Sequence, residues 1–138
     1  MDVRIIGVRK DQPAARPSVP TDFGYNLSDP YAVRLDFNAD TDSTRWLIAI
    51  GLFVWAFQRP DLPSGIGDVV ITYHTTGEWT NWISLKLRSR EGTAEVAFPT
   101  IDVTRFIDLA TMSATDNVRE TALDIFFEKV EECANQSW

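Results

Sequence analysis

Few residues in this 138-residue chain could carry covalent or metal chemistry. There is one His, His74, and one Cys, Cys133. A lone His excludes a His pair on a metal and argues against a Ser-His-acid triad, and a lone Cys excludes an internal disulfide framework and a Cys-based zinc site. As a general base, His74 would need a nucleophile and an orienting acid beside it. Ser84 and Asp68 are present, but no spacing in the sequence links them to it. Cys133 falls in an apolar stripe, which favours a buried thiol over a nucleophile.

Three further patterns have a chemical and a plain reading. Gly65-Ile66-Gly67-Asp68 lacks the third Gly of a dinucleotide fingerprint and the Gly-Lys-Ser/Thr of a phosphate loop. It reads as a tight loop launching a strand, with Asp68 capping backbone N–H groups. Asp40, Asp42 and Asp61 bring calcium to mind, yet most positions of a calcium loop are missing, so solvated turns are expected. Trp79 and Trp82 lie near Lys86, Arg88 and Arg90. Such a mixture could stack on single-stranded bases; the plain reading is a pleated strand with one solvated face.

The elements that must position these residues follow from periodicity. Residues 1–20 hold Arg4, Arg9, Lys10 and Arg16 against Asp2 and Asp11, a net of +2, while 21–138 carry −9. Pro13, Pro17 and Pro20 make 11–20 read as a linker or arm, although Val3–Val8 has the composition of an edge strand. From Thr21 the pattern is β-like. Phe23, Tyr25 and Leu27 alternate, Ser28-Asp29-Pro30 turns, and Tyr31, Val33, Leu35 and Phe37 alternate again. A third strand starts at Arg45, and 51–58 is either its continuation or a short helix. After the loop 58–67 come strands at 68–73, 79–87 and 93–98, the last two joined by the turn 89–92. Two helices are expected to close the chain. The first starts with Thr100 as N-cap, and the second starts at Thr115 or Asp116. The second pairs an apolar stripe (Val118, Ala122, Ile125, Phe126, Val130) with an acidic face.

The length fits one domain, and thirteen Lys and Arg against twenty Asp and Glu argue against a general nucleic-acid binder. The longest apolar run, Trp46–Phe57, is too short to span a bilayer, and the N-terminus lacks the pattern of a signal peptide. A cytoplasmic protein with no cofactor or metal is therefore expected.

Several segments together resemble one family. Ser28-Asp-Pro-Tyr-Ala-Val-Arg-Leu-Asp-Phe37 is similar to the Asp-Pro-Tyr-Ala-(Val/Ile)-Arg-x-x-Phe signature of the SsgA-like proteins of sporulating actinomycetes. Val19-Pro20 with Tyr25, Trp46, Pro63-Ser-Gly65-Ile-Gly67-Asp68-Val69, the turn 88–94 and Phe106-Ile107 resemble further family blocks in the same order. The resemblance spans about residues 19–111. It departs after Trp46, where Ile48, Ile50, Gly51, Leu52 and Phe53 stand in place of the family's Phe-x-Arg-acid-Leu-Leu.

The resemblance implies an α+β fold of two packed antiparallel sheets with C-terminal helices, a Whirly-like architecture, assembling as a homotrimer. It implies a non-enzymatic regulator of sporulation-specific cell division, a protein-binding module at the division septum. Its partners would be division proteins such as the tubulin-like GTPase FtsZ, or another SsgA-like protein. The alternative, by fold analogy, is a single-stranded nucleic-acid binder. The division of the chain expected is an arm (1–20) and one SsgA-like domain (21–138). Within that domain the apolar run supplies the candidate partner or oligomer interface: Trp46, Ile48, Ile50, Leu52, Phe53, Trp55 and Phe57, since contiguous apolar patches mark interfaces. Asp29 is expected in a turn, Tyr31 in the core, and Arg34 paired with Asp36 or Asp68.

Overall fold

The structure, a computed structural model, describes residues 1–38 and 43–113. Seven strands and two helices follow in the order β1 (Asp2–Arg9), β2 (Ser18–Gly24), β3 (Ala32–Phe37), β4 (Thr44–Ala49), α1 (Ile50–Gln58), β5 (Val69–Tyr73), β6 (Trp82–Ser89), β7 (Gly92–Pro99) and α2 (Thr100–Ser113). The ambiguous segment after β4 is thus a helix. The expected second helix, its acidic face, Cys133, Asp40 and Asp42 lie outside the described residues.

The strands form one antiparallel sheet in the order β4-β3-β2-β1-β7-β6-β5, where two packed sheets were expected. The join is short. β1 meets β7 only at Val8–Ala97 and Arg9–Val96, extended by the Lys10 N–H to Glu95 carbonyl bond of 2.9 Å. The next hydrogen-bonded pair in that register, Ile6–Pro99, would need a donor from Pro99, which has none, and Thr100 then turns into α2. The link between the two halves is the first strand, and β6 starts at Trp82 rather than at Trp79, because residues 79–81 form a turn closed by the Trp82 N–H on the Trp79 carbonyl at 2.9 Å.

Residues 1–20, read as an arm, supply β1 and the start of β2. Three prolines suited a linker, yet Val3 to Val8 alternates and pairs with Phe23 to Ser18. Pro20 is compatible with a strand here for a local reason. The β1–β2 bonds are made by odd-numbered residues of β2, so its missing N–H would point toward β3. That strand ends at Phe37 opposite Thr21, one residue short of needing it.

The sheet curls. Phe37 on β3 and Phe98 on β7 lie three strands apart in the order, about 14 Å in a flat sheet, yet their ring centroids are 6.3 Å apart. Inside the curl, Phe23 packs edge-on against Phe98 at 5.1 Å and against Phe106 of α2 at 5.5 Å. Val33, Leu35, Ile48, Ile71, Ile83, Leu85 and Val96 complete this face, all at inward positions of their strands. α1 adds Ile50, Phe53 and Ala56, and α2 adds Val103, Phe106, Ile107 and Ala110. Those α2 residues fall at helical spacing on one stripe, so both halves of the sheet and both helices share one core.

Thr100 does not cap α2. It is the first helical residue, its N–H donates to the Asn81 carbonyl at 3.0 Å, and its Oγ1 is buried with no hydrogen-bond partner. Asp102 in the first turn supplies the favourable charge at the positive end of the helix dipole.

Candidate functional site

The apolar run 46–57 divides between core and surface. Alternation along β4 and the turn of α1 send Ile48, Ile50 and Phe53 fully inside, where no partner can reach them. Trp46, Leu52, Trp55 and Phe57 are half-buried. Phe57 stands edge-on to Tyr73 at 6.0 Å, and the Arg59 guanidinium lies over the Trp55 ring at 5.0 Å. The exposed large apolar side chain of this region is Leu47, 65% exposed, on the outward face of β4. A continuous apolar run hides the parity of a strand; the alternating burial of Trp46, Leu47 and Ile48 reveals it.

The two edges of the sheet differ. β5 is sealed by the loop 59–67. The Asp61 N–H donates to the Tyr73 carbonyl at 2.8 Å, and Ser64 and Ile71 exchange two backbone bonds of 2.7 and 2.9 Å. The Ser64 hydroxyl also donates to the Leu52 carbonyl at 2.9 Å, tying the loop to α1. Gly65 (φ +102°) and Gly67 (φ +101°) turn this strap back into β5. At Gly65 a Cβ would lie 2.7 Å from the Val69 carbonyl oxygen and 3.0 Å from Leu52 Cδ2; at Gly67 it would meet nothing. Ile66 between them is 73% exposed.

Asp61 is engaged within the chain. Its carboxylate accepts the Thr75 N–H at 2.9 Å and the Thr75 hydroxyl, and these bonds hold it below the usual carboxylate range. Among the described residues no group of three or more His, Cys, Asp or Glu could hold a metal. Asp68 acts through its backbone, accepting the Arg88 N–H at 2.8 Å.

β4, at the other edge, has no neighbour on its outer side among the described residues. The Ile50 N–H bonds back to the Tyr31 carbonyl at 2.9 Å, so in this register the even-numbered residues of β4 face β3. The backbone N–H and C=O groups of Arg45, Leu47 and Ala49 therefore point away from the sheet. Arg45 also donates to Asp36 at 2.8 Å, and Arg34 to Asp36 at 3.0 Å and to Asp2 at 2.6 Å. Arg45 first, and then Arg34, draw the Asp36 carboxyl below its usual range. Arg34 thus takes Asp36 of the two acids expected. Asp29 is in a turn, its N–H on the Asn26 carbonyl at 2.9 Å. Tyr31 is 41% exposed rather than in the core, because β3 begins one residue later.

The fold does assemble one polar cluster that the sequence left scattered. Ser84 on β6 and His74 beyond β5 meet on the outer face, His74 Nε2 lying 2.8 Å from Ser84 Oγ and 3.5 Å from Lys10 Nζ. Lys10 pairs with Glu95 at 2.9 Å. Partial burial, and after it the Lys10 ammonium, hold His74 below the ordinary imidazole range. The Nε2–Oγ contact is a hydrogen bond between the ring and the Ser84 hydroxyl. The pair has the reach of a nucleophile and its base, but Ser84 is only 5% exposed, and the nearby Asp61 is engaged by Thr75. What the cluster does in this structure is fasten 10–16 to the 74–82 turn. Lys10 and Arg16 sit over the Trp79 ring at 5.8 and 5.1 Å, Arg16 pairs with Glu78, and Trp79 stands edge-on to Trp82 at 5.7 Å. The ring that would stack on bases thus already carries the chain's own cations.

No helix among the described residues is long and apolar enough to cross a membrane. No curated protein matches the chain by sequence. Two solved structures share its fold. One is SsgB of Streptomyces coelicolor, whose mutations correlate to longitudinal cell division during sporulation. It has a TM-score of 0.73 and 22% identity over 86% of this chain and 90% of that one. The other is an SsgA-like sporulation-specific cell division protein from Thermobifida fusca YX-ER1, with a TM-score of 0.73 and 21% identity over 96% of this chain and 94% of that one. At such identities the likeness speaks for the fold. The family itself comes from sequence, since the family of the Streptomyces sporulation and cell division protein SsgA matches residues 19–118. The chain, whose described residues form a curled seven-stranded sheet, belongs to the SsgA family of sporulation and cell division proteins.

Proposed function

We propose that this protein is a non-enzymatic, protein-binding regulator of sporulation-specific cell division that helps position or recruit the septation machinery at the septum. The observation that carries the reading is the β4 edge, which no neighbour covers among the described residues. Exposed edge strands are templates for another chain, and proteins that do not use them blunt them with prolines, bulges or covering loops. Here one edge is covered by a strap, while the other offers the outward backbone groups of Arg45, Leu47 and Ala49 beside the exposed Leu47 side chain. Adding a strand there would recruit a partner through main-chain bonds.

The partner would be a division protein such as FtsZ, or another SsgA-like chain, with a homotrimer as the protein's own assembly and a Whirly-like arrangement of its elements. Of the seven interface residues expected from sequence, only Trp46, Leu52, Trp55 and Phe57 reach the surface in part. Leu47 joins them as the better candidate. The test is co-sedimentation with polymerised, purified FtsZ, together with a mass measurement in solution, using the natural chain and Leu47→Asp. Binding and assembly that weaken in Leu47→Asp, with the fold intact, support the reading. A monomer that ignores FtsZ counts against it.

A further inference from the structure

Six of the eleven Lys and Arg among the described residues are neutralised locally. Arg4, Arg9, Lys10, Arg16, Arg34 and Arg45 each have a carboxylate partner, and Arg59 lies on Trp55. Arg105 stands alone on α2, whereas Lys86, Arg88 and Arg90 form a cluster. All three are exposed, and among the described residues none forms an ion pair. They fall within five residues, in a chain whose net charge is −7.

Their geometry is ordered by the strand. Ile83, Leu85 and Leu87 of β6 point into the core, so Lys86 and Arg88 share the outer face with Ser84, and Arg90 continues past them in the turn to β7. The neighbours do little to neutralise them. Lys86 lies between Val70 and Glu95, and Arg88 is opposite Thr93; Glu95 is already engaged by Lys10 at 2.9 Å. Asp68 and Glu91 are the remaining acids at this end. Like charges along one strand face repel, and the arrangement is relieved when a partner brings the opposite charge.

We propose that the outer face of β6 docks an acidic, extended segment of a partner protein, with Lys86 and Arg88 taking carboxylates two residues apart and Arg90 extending the track. Alternate residues of an extended peptide repeat about every 6.7 Å, the same spacing that separates Lys86 from Arg88 along β6. An Arg fork fits a carboxylate with two hydrogen bonds. A nucleic-acid strand fits less well, because the ring on which its bases would stack, Trp79, already carries Lys10 and Arg16. The proposal rests on the protein-binding reading above and names the chemistry of a second contact, separate from the β4 edge.

The experiment is a fluorescence anisotropy titration of the full chain with a labelled peptide of about twelve residues alternating Glu and Ala, against its Gln counterpart and an oligothymidylate of equal charge. The Glu peptide is expected to bind, more weakly as salt rises, and the Gln peptide is not. The double variant Lys86→Glu/Arg88→Glu is expected to weaken binding at least about tenfold. Arg105→Glu, which reverses an exposed cation on α2, changes it less than about twofold. A milder pair, Lys86→Gln/Arg88→Gln, gives the same direction should the charge reversals disturb the fold. No binding of the Glu peptide, equal binding by the double variants, or tighter binding of the oligonucleotide overturns the proposal. FtsZ co-sedimentation separates the two ideas: loss in Leu47→Asp but not in the β6 variants would leave the edge reading standing and remove this face as a partner contact.

Discussion

The strap that seals β5 turns on two glycines that differ in one respect, and that difference gives a quantitative test. Gly65 and Gly67 have φ of +102° and +101°, a region that a side chain enters at a cost of about 1–2 kcal/mol. Gly67→Ala pays that cost alone, because its Cβ would meet nothing within 4 Å. Gly65→Ala meets in addition the Val69 carbonyl oxygen at 2.7 Å and Leu52 Cδ2 at 3.0 Å. Leu52 can shift, but the Val69 oxygen belongs to the backbone of a paired strand. Overpacking of this kind costs about 1–3 kcal/mol more. Gly65→Ala should therefore lose about 2–5 kcal/mol and Gly67→Ala about 1–2 kcal/mol. Urea unfolding followed by Trp fluorescence gives both values, and an unchanged slope confirms that the two variants unfold over the same surface. Equal losses in the two variants would refute the close contact at Gly65, and with it the argument that this loop locks α1 to β5.

Three other variants or conditions probe the remaining structure. Phe23, fully buried against Phe98 and Phe106, should cost about 3–5 kcal/mol when changed to Ala; a loss near zero in the same unfolding assay would show that the two halves of the sheet do not share a core. Thr100→Val removes a buried hydroxyl that has no partner, so stability should hold or rise by about 1 kcal/mol, and a clear fall would mean that Oγ1 is bonded. His74 is held below the ordinary range by burial and by Lys10, so the unfolded chain takes up its proton first. Stability should be full above pH about 6.5 and fall as the pH drops through that value toward the lower folded one. His74→Gln should flatten that part of the profile, which is separate from the acid loss below pH about 4 as Asp11, Asp22, Asp36 and Asp61 are protonated; a wild-type profile flat between pH 7 and 5 would contradict it.

How far the sequence reveals this protein depends on the range of the interactions involved. β3, β5, β6, β7 and α2 are legible because each carries its own period and its own turn chemistry, such as Ser28-Asp29-Pro30 and the two-residue loop before Gly92. β1 is not, because prolines at 13, 17 and 20 outweigh a short alternation, and only the end of β3 at Phe37 makes Pro20 harmless. The single sheet was hidden for a related reason. It depends on two residue pairs between the first and last strands, about ninety positions apart, and no local pattern encodes such a pairing. The same holds for the outer-face cluster. His74 and Ser84 are ten residues apart and come together through the β5–β6 register, but Lys10 and Arg16 arrive from the connection between β1 and β2. The family blocks are legible as blocks; that Gly65 avoids the Val69 carbonyl, and that Tyr31 lies outside while Arg34 holds Asp2 and Asp36, comes from packing.

The central claim, that this chain acts in sporulation-specific division by binding another protein, is tested most directly by co-sedimentation with polymerised, purified FtsZ. The account predicts that the natural chain pellets with the polymer and that Leu47→Asp, equally stable in urea, stays in the supernatant. A chain that remains in the supernatant in both forms would contradict it, and equal pelleting of both forms would move the contact away from the β4 edge.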